Sequence, residues 1–261
     1  RPQQKLVHVH ADADELGKVY QTDLAINASM PEFCAALKVL TPVNITWKSW
    51  CEQARADYLE NTKLADTPGA LHMGQVVDFL RKRLPSNAII TNGAGNFASW
   101  AHRFYPYGGF RTQLAPTNGA MGYGFPAAVA AKLTHPERAV ICFTGDGDYL
   151  MNGQELATAV QYGANVIALV VNNGMYGTIR MHQEREYPAR VWGTELVDPD
   201  FAALARAYGA HGETVNATHE FEAAFERALA SGKPALIEMR IDPESITPKM
   251  SLSAIRAAAQ R

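Results

Sequence analysis

Residues 139–176 read AVICFTGDGDYLMNGQELATAVQYGANVIALVVNNGMY, and the fold follows from the order of their parts. Ala139–Thr144 and Val166–Val171 are short apolar runs with β-branched residues, closed by turn residues, which is the pattern of buried strands. Between them Asn152–Tyr162 has helical spacing. Leu156, Ala159 and Val160 form an apolar stripe, with Asn152 as N-cap and Glu155 three residues on to complete a capping box. A strand-helix-strand unit has parallel strands, so Asp146 and Asn173, one just past each strand, are expected together at the carboxyl edge of a sheet, where open α/β folds bind ligands. A carboxylate and an amide carbonyl are hard oxygen donors of the kind Mg2+ takes, with phosphate and water filling its remaining positions. Gly145 and Gly147 would let backbone N–H groups approach a phosphate closely.

Strands and helices alternate outward from this unit. Leu71–Leu84 is an amphipathic helix carrying Val76, Val77, Phe79 and Leu80, stopped by Pro85, and Ala88–Thr91 is a strand running into Asn92-Gly-Ala-Gly-Asn-Phe-Ala98. That turn fits the dinucleotide fingerprint, which requires an acidic residue about 20 positions on for the ribose. No Asp or Glu occurs from Phe79 to Pro136, so nicotinamide binding is excluded and a phosphate cradle remains. The glycine-rich Pro116–Pro126 opens a small-residue helix, Ala127–Leu133. Gly177–Glu184 reads as a helix, and Asp198 as N-cap with Pro199 at N1 starts another that ends at Tyr208. Strands Glu213–Val215 and Pro234–Ile241 flank a helix over Thr218–Ala230. The tail after Pro248 ends in Ala254–Arg261, a terminal helix or a frayed end. Together these predict an α/β fold, a doubly wound parallel sheet with helices on both faces.

Gly145-Asp146-Gly147, followed by Asn172-Asn173 with 27 positions from Asp146 to Asn173, resembles the signature of thiamine-diphosphate enzymes of the acetolactate-synthase-like and benzoylformate-decarboxylase-like kind. Gly119-Ala-Met-Gly-Tyr-Gly-Phe-Pro126 resembles a second segment of that family. The resemblance implies that Asp146, the Asn173 side chain and the Met175 carbonyl hold Mg2+, which in turn holds the diphosphate. It implies cofactor contacts at Gly145, Gly147, Asp148, Asn173, Tyr176 and Gly177, and at Gly95, Asn96 and Phe97, where the family has Gly-Gln-His. Gly119 would accept from the pyrimidine amino group through its carbonyl, and Met121 would wedge between the two cofactor rings. Met121 alone would read as adaptable core filler. His182 stands where acetolactate synthases carry a substrate-contacting tryptophan, so it is a candidate catalytic residue, and a surface histidine fits the position equally well.

The activity so implied is decarboxylation of a 2-oxo acid, transfer of the resulting acyl carbanion equivalent, or both. The glutamate that activates the cofactor would lie in a pyrimidine-binding domain of the same or a partner subunit, so this chain alone is expected to be inactive and to work in a homodimer or homotetramer. Ala11–Gly17 and Asp23–Ile26 resemble the end of the family's central domain. The expected organisation is therefore residues 1–40 as the tail of that domain, 41–70 as a linker, 71–248 as the diphosphate domain and 249–261 as a C-terminal tail. FAD stays open, since it would bind mostly outside these residues. Two other readings stand beside this one. One is a non-catalytic Mg-diphosphate-binding subunit or fragment. The other is a Mg2+-dependent phosphate-handling protein, against which no Gly-x-x-x-x-Gly-Lys-Ser/Thr loop occurs.

Composition narrows the partners. With 24 Lys and Arg against 26 Asp and Glu the net charge is −2, which argues against nucleic acid or an anionic membrane. No apolar run approaches the ~20 residues of a membrane span, and the first residues lack a signal pattern, so a cytoplasmic protein is expected. Cys34, Cys51 and Cys142 have no metal-ligand spacing and are expected to be reduced, buried thiols. His8 and His10 share one face of a strand over Lys5–His10 and are expected to be structural, because two histidines without a third donor make a poor metal site.

Overall fold

The computed structural model describes residues 3–41 and 44–260, and the chain divides into two compact units, residues 1–61 and 62–261. In the first unit β1 (Val7–His10) pairs in parallel with β2 (Leu24–Asn27). The Asn27 amide donates to the carbonyls of His10 and Ala11 at 3.0 and 2.9 Å, fixing the exit of β1. The two histidines serve the local backbone, since Nδ1 of His8 accepts from the Gly17 amide and Nδ1 of His10 from the Asp12 amide. A short α1 (Met30–Leu37) starts on a Ser29–Glu32 capping box, and α2 (Lys48–Asn61) follows. None of the described residues of this unit is buried. Cys34 and Cys51 are exposed, so of the three thiols only Cys142 is buried as expected.

The second unit is a six-stranded parallel sheet in the order β4-β3-β5-β6-β8-β7. In chain order its elements are α3 (Met73–Arg83), β3 (Ile89–Asn92), α4 (Ala98–Phe104), β4 (Gln113–Leu114), α5 (Gly124–Thr134) and β5 (Val140–Gly145). Then come α6 (Asp146–Asn152), α7 (Leu156–Tyr162), β6 (Ile167–Asn172), α8 (Gly177–Glu186), α9 (Phe201–Ala207), β7 (His211–Val215), α10 (Thr218–Ala230), β8 (Ala235–Arg240) and α11 (Leu252–Ala259). Alternation along the strands divides the core in two. Ile90, Ile141, Phe143, Leu169 and Ile237 pack with α3, α4 and α10, while Ile89, Cys142, Ala168, Val170 and Leu236 pack with α5, α7 and α9. Helices on both faces of an all-parallel sheet make the fold doubly wound.

Three local expectations are corrected. The helix after β5 begins at Asp146 rather than Asn152, with a 3-10 turn at Gly153–Glu155 between α6 and α7. No capping box forms there, because the Asn152 amide donates to the Gly122 carbonyl at 2.9 Å and Glu155 accepts from Thr158. The cap of α9 is Asp200, whose Oδ1 accepts from the Ala203 amide at 2.8 Å, so the helix starts two residues later than Asp198 and Pro199 suggest. Of the two forms expected for it, the C-terminal segment takes the terminal helix, α11, with Leu252 and Ile255 buried against Met181 and Ile246. Small residues also let α5 start earlier than expected. A Cβ on Gly124 would lie 2.5 Å from the Gly93 amide nitrogen, so only glycine seats α5 directly on the end of β3.

Candidate functional site

The connection after β3 leaves through α4 to one face of the sheet, and the connection after the neighbouring β5 leaves through α6 and α7 to the other. Loops that diverge in this way open a crevice at the carboxyl ends of the strands, the switch point of a doubly wound sheet. A cleft with about 540 Å³ of empty space lies there, lined by residues from both loops and from the segments around Met121, Asn173–Ile179 and Ile241–Ile246.

Asp146 and Asn173 meet in this crevice. Asp146, almost fully buried, accepts at Oδ1 from the Gly147 amide (2.7 Å) and at Oδ2 from the amides of Asn173 (3.0 Å) and Gly174 (2.9 Å). Burial pushes its carboxyl upward, and these amides oppose the rise. Oδ1 of Asn173 accepts from the Met175 amide at 3.3 Å. The turn between them is pinned from outside, since Tyr176 donates to the Thr194 carbonyl, Leu196 donates to the Gly174 carbonyl, and Met175 bridges Glu195. Tyr176 lies against Gly147, where a Cβ would stand 2.5 Å from its ring, and Gly177 lies against Ile246 and the Asn173 amide.

Asp148 is a strut between segments. Its carboxylate accepts from Thr144 Oγ1 (2.6 Å), the Gly122 amide (2.9 Å) and the Ala94 amide (3.2 Å), which ties β5 to both glycine-rich loops. The turn after β3 spends its donors on the protein itself. The Gly93 amide bonds the Phe143 carbonyl, Ala94 bonds Asp148, and the Asn96 amide bonds Thr178 Oγ1 at 2.9 Å. The expected cradle of free amides is therefore already engaged at these three positions. The Asn96 side chain is held by Thr178 and by Met181 Sδ, and the Phe97 ring fills the space over Gly95 and Gly145, where added Cβ atoms would stand 2.5 and 2.9 Å from it. Met121 is half-buried at the cleft, and Gly119 takes φ +69° with open space beside it. His182 is exposed on α8 and does not line the cleft, whereas Thr178 and Ile179 of the same helix do.

Trp100, Thr178, Ile241, Ser245 and Ile246 complete the walls. Among the described residues the buried hydroxyl of Ser245 has no hydrogen-bond partner, and no three His, Cys, Asp or Glu side chains are grouped to hold a metal ion. No helix of the described residues is long and apolar enough to cross a membrane. The glycine-rich segments and the Asp146–Asn173 spacing point to most of this lining in the sequence, whereas Ser245 and Ile246 follow a strand end with no motif to announce them.

Residues 93–239 match the family model of the C-terminal TPP-binding domain of thiamine pyrophosphate enzymes. This chain belongs to that family. It is similar to the large subunit of acetolactate synthase isozyme 2 of Escherichia coli, with 30% identity over 95% of this chain and 45% of the relative. It is similar to the acetolactate synthase large subunit of Parasynechococcus marenigrum, with 30% identity over 92% of this chain and 40% of that protein. It is also similar to the probable acetolactate synthase large subunit of Methanocaldococcus jannaschii, with 29% identity over 95% and 44%. The chain thus spans less than half the length of these curated relatives. Asp146 and Asn173 lie inside the matched residues, while Ile241, Ser245 and Ile246 of the crevice wall lie just beyond them.

Proposed function

We propose that the crevice holds Mg2+ and thiamine diphosphate, and that in a whole protein this site serves decarboxylation of a 2-oxo acid and transfer of the acyl carbanion equivalent. The observation that carries the reading is the meeting of Asp146 and Asn173 at the switch-point crevice, where the carboxylate accepts from the Asn173 backbone amide at 3.0 Å. Their donor set fits a hard cation that completes its shell with phosphate oxygens, because a carboxylate and a side-chain amide oxygen are both hard donors. The unpartnered Ser245 hydroxyl leaves a donor for a bound anion at the same wall.

Asp146, the Asn173 side chain and the Met175 carbonyl would hold the cation, while Met121 and the Gly119 carbonyl would orient the ring system. Thiamine diphosphate, when bound, supplies a nucleophilic carbon and an electron sink for cleavage next to a carbonyl. Phe97, Val171, Ile241 and Ile246 make an apolar wall that excludes water and strengthens each polar contact inside. Asp146 and Asp148, the carboxylates of the cleft wall, are both engaged in holding loops. This favours the second reading for the chain in isolation: it binds Mg-diphosphate without turnover until a pyrimidine-binding domain brings an activating acid. We assign residues 1–40 to the tail of a central domain, whose remainder would cover apolar side chains such as Val19 and Val39, now about 80% exposed.

Melting scans separate these readings from general phosphate handling. With Mg2+ present, thiamine diphosphate at 100 times its Kd should stabilise the chain by about 2.7 kcal/mol, and ATP should not. Hydrogen–deuterium exchange at the thiazolium C2 should stay at the rate of free cofactor with this chain alone and rise when a pyrimidine-binding domain is supplied. Stabilisation by ATP alone would overturn the cofactor assignment.

His182 remains our candidate for substrate contact, reached from the outer face of α8 once another part of the protein covers it. Histidine can exchange protons near neutral pH. His182→Phe in a complete enzyme should change preference among 2-oxo acids or the pH profile of kcat; identical kinetics would leave it a surface residue.

A further inference from the structure

One carboxylate on the interior of the sheet is used by nothing described so far. Glu238 is 0% exposed on β8, at a position where its neighbours Ile237 and Met239 are apolar core. A buried carboxylate costs several kcal/mol unless it is paired and hydrogen-bonded. Glu238 has such partners on three strands. Oε1 accepts from Asn172 Nδ2 (2.9 Å) and Arg240 Nε (3.0 Å), and Oε2 accepts from Thr214 Oγ1 (2.9 Å) and an Arg240 Nη2 (3.3 Å). Register and alternation put Asn172, Glu238, Arg240 and Thr214 on the same sheet face at its carboxyl edge.

Asn172 carries this anchoring into the site. Its Nδ2 is drawn to Glu238, so its Oδ1 faces the other way, where it accepts from the Gly174 amide at 2.9 Å. The same Gly174 amide reaches Asp146 Oδ2 at 2.9 Å, and Gly174 itself takes φ +68°. The turn between Asn172 and Met175 therefore has a fixed shape before any ligand arrives.

We propose that Glu238 is a positioning residue for the cation-binding turn: by orienting the Asn172 amide it sets the bend at Gly174 that presents Asn173 and Met175. This rests on the reading of the crevice as a Mg-diphosphate site. Outer partners of metal ligands typically contribute 10–100-fold to metal affinity. Glu238→Gln keeps the volume and removes the charge that holds both Asn172 and Arg240, and Asn172→Ala cuts the link at its other end.

The test titrates Mn2+ into the chain at saturating thiamine diphosphate, reading free Mn2+ by its paramagnetic signal, and separately measures binding of thiamine diphosphate without metal. Both variants should bind Mn2+ 10–100-fold more weakly, with metal-free cofactor binding unchanged. If Glu238→Gln fails to fold, Asn172→Ala alone carries the comparison. Mn2+ affinity within twofold of wild type in a folded variant overturns the inference, as does an equal loss of metal-free binding, which a merely structural role would produce. A wild-type chain that takes up no Mn2+, or whose uptake survives Asp146→Ala, overturns instead the reading of the crevice itself.

Discussion

Asp146→Ala should weaken Mg2+-dependent binding of thiamine diphosphate by more than roughly 100-fold, a larger loss than the 10–100-fold typical of residues behind a metal ligand. On the proposed reading of the crevice, the substitution removes a charged oxygen donor from the cation and leaves the diphosphate charge poorly neutralised. It also deprives the amides of Asn173 and Gly174 of their acceptor, so the turn carrying Asn173 and Met175 loosens at the same time. Asp146→Asn partly separates the two effects, because it keeps one carbonyl oxygen for the amides of Asn173 and Gly174 while losing the charge and the acceptor of the Gly147 amide. Calorimetric titration with Mg2+ and thiamine diphosphate should show alanine worse than asparagine and both far below wild type. Unchanged affinity in either would remove Asp146 from the cation's shell.

The largest effect on stability is expected at Glu184. This carboxylate is 1% exposed on α8, and it accepts from Arg180, from Arg256 of α11 and from the Ala189 amide. It thereby clamps α8, α11 and the turn after α8 at one point. The Arg256 bond first, with Ala189 and Arg180 adding to it against the cost of burial, holds its carboxyl down at about 2. Breaking a buried ion pair by deleting one partner costs about 3–5 kcal/mol, because the remaining charge is stranded. Glu184→Ala should lower stability by that amount and free α11 from Met181 and Ile246. The sign of the pH dependence follows from the lowered carboxyl. The contribution is full above the unfolded value of about 4.5 and is lost as pH falls from there toward 2. The difference in melting temperature between wild type and Glu184→Gln should therefore shrink across that window; a difference independent of pH would show that the charge of Glu184 is not what holds the clamp.

The fold was legible because the central strands β3, β5, β6 and β8 are buried along all or nearly all of their length and so read as apolar runs, and because Asp146 and Asn173 stand one residue past two such runs. What escaped the sequence was side-chain competition over long separations. Asn152 has the right neighbours for a cap, yet Gly122, thirty residues earlier, takes its amide. Asp198 and Asp200 flank the same proline, and only burial tells them apart: Asp200 caps α9 from the surface, while Asp198 sits among Asn172, Asp146 and Glu238. Burial, with the charges of those two carboxylates, pushes the Asp198 carboxyl up to about 6. The Glu184–Arg256 pair joins residues 72 positions apart, and no local pattern marks either end. At the site, the glycine spacing after β3 reads in the sequence as a phosphate cradle, and the groups that press on Gly93 and Gly95 are the Asp148 carboxylate and the Phe97 ring.

The strand order has a consequence for how the chain is made. β8 lies between β6 and β7, although β7 precedes it in the chain. On a ribosome, β7 therefore emerges with no neighbour to pair with, and β6 keeps a bare apolar edge until Ala235–Arg240 has cleared the exit tunnel. Unpaired edges of this kind are where nascent chains stick to one another. β8, the last strand among the described residues, is the keystone of its half of the sheet, so the interval between making β6 and making β8 is when this sheet most needs protection from its neighbours.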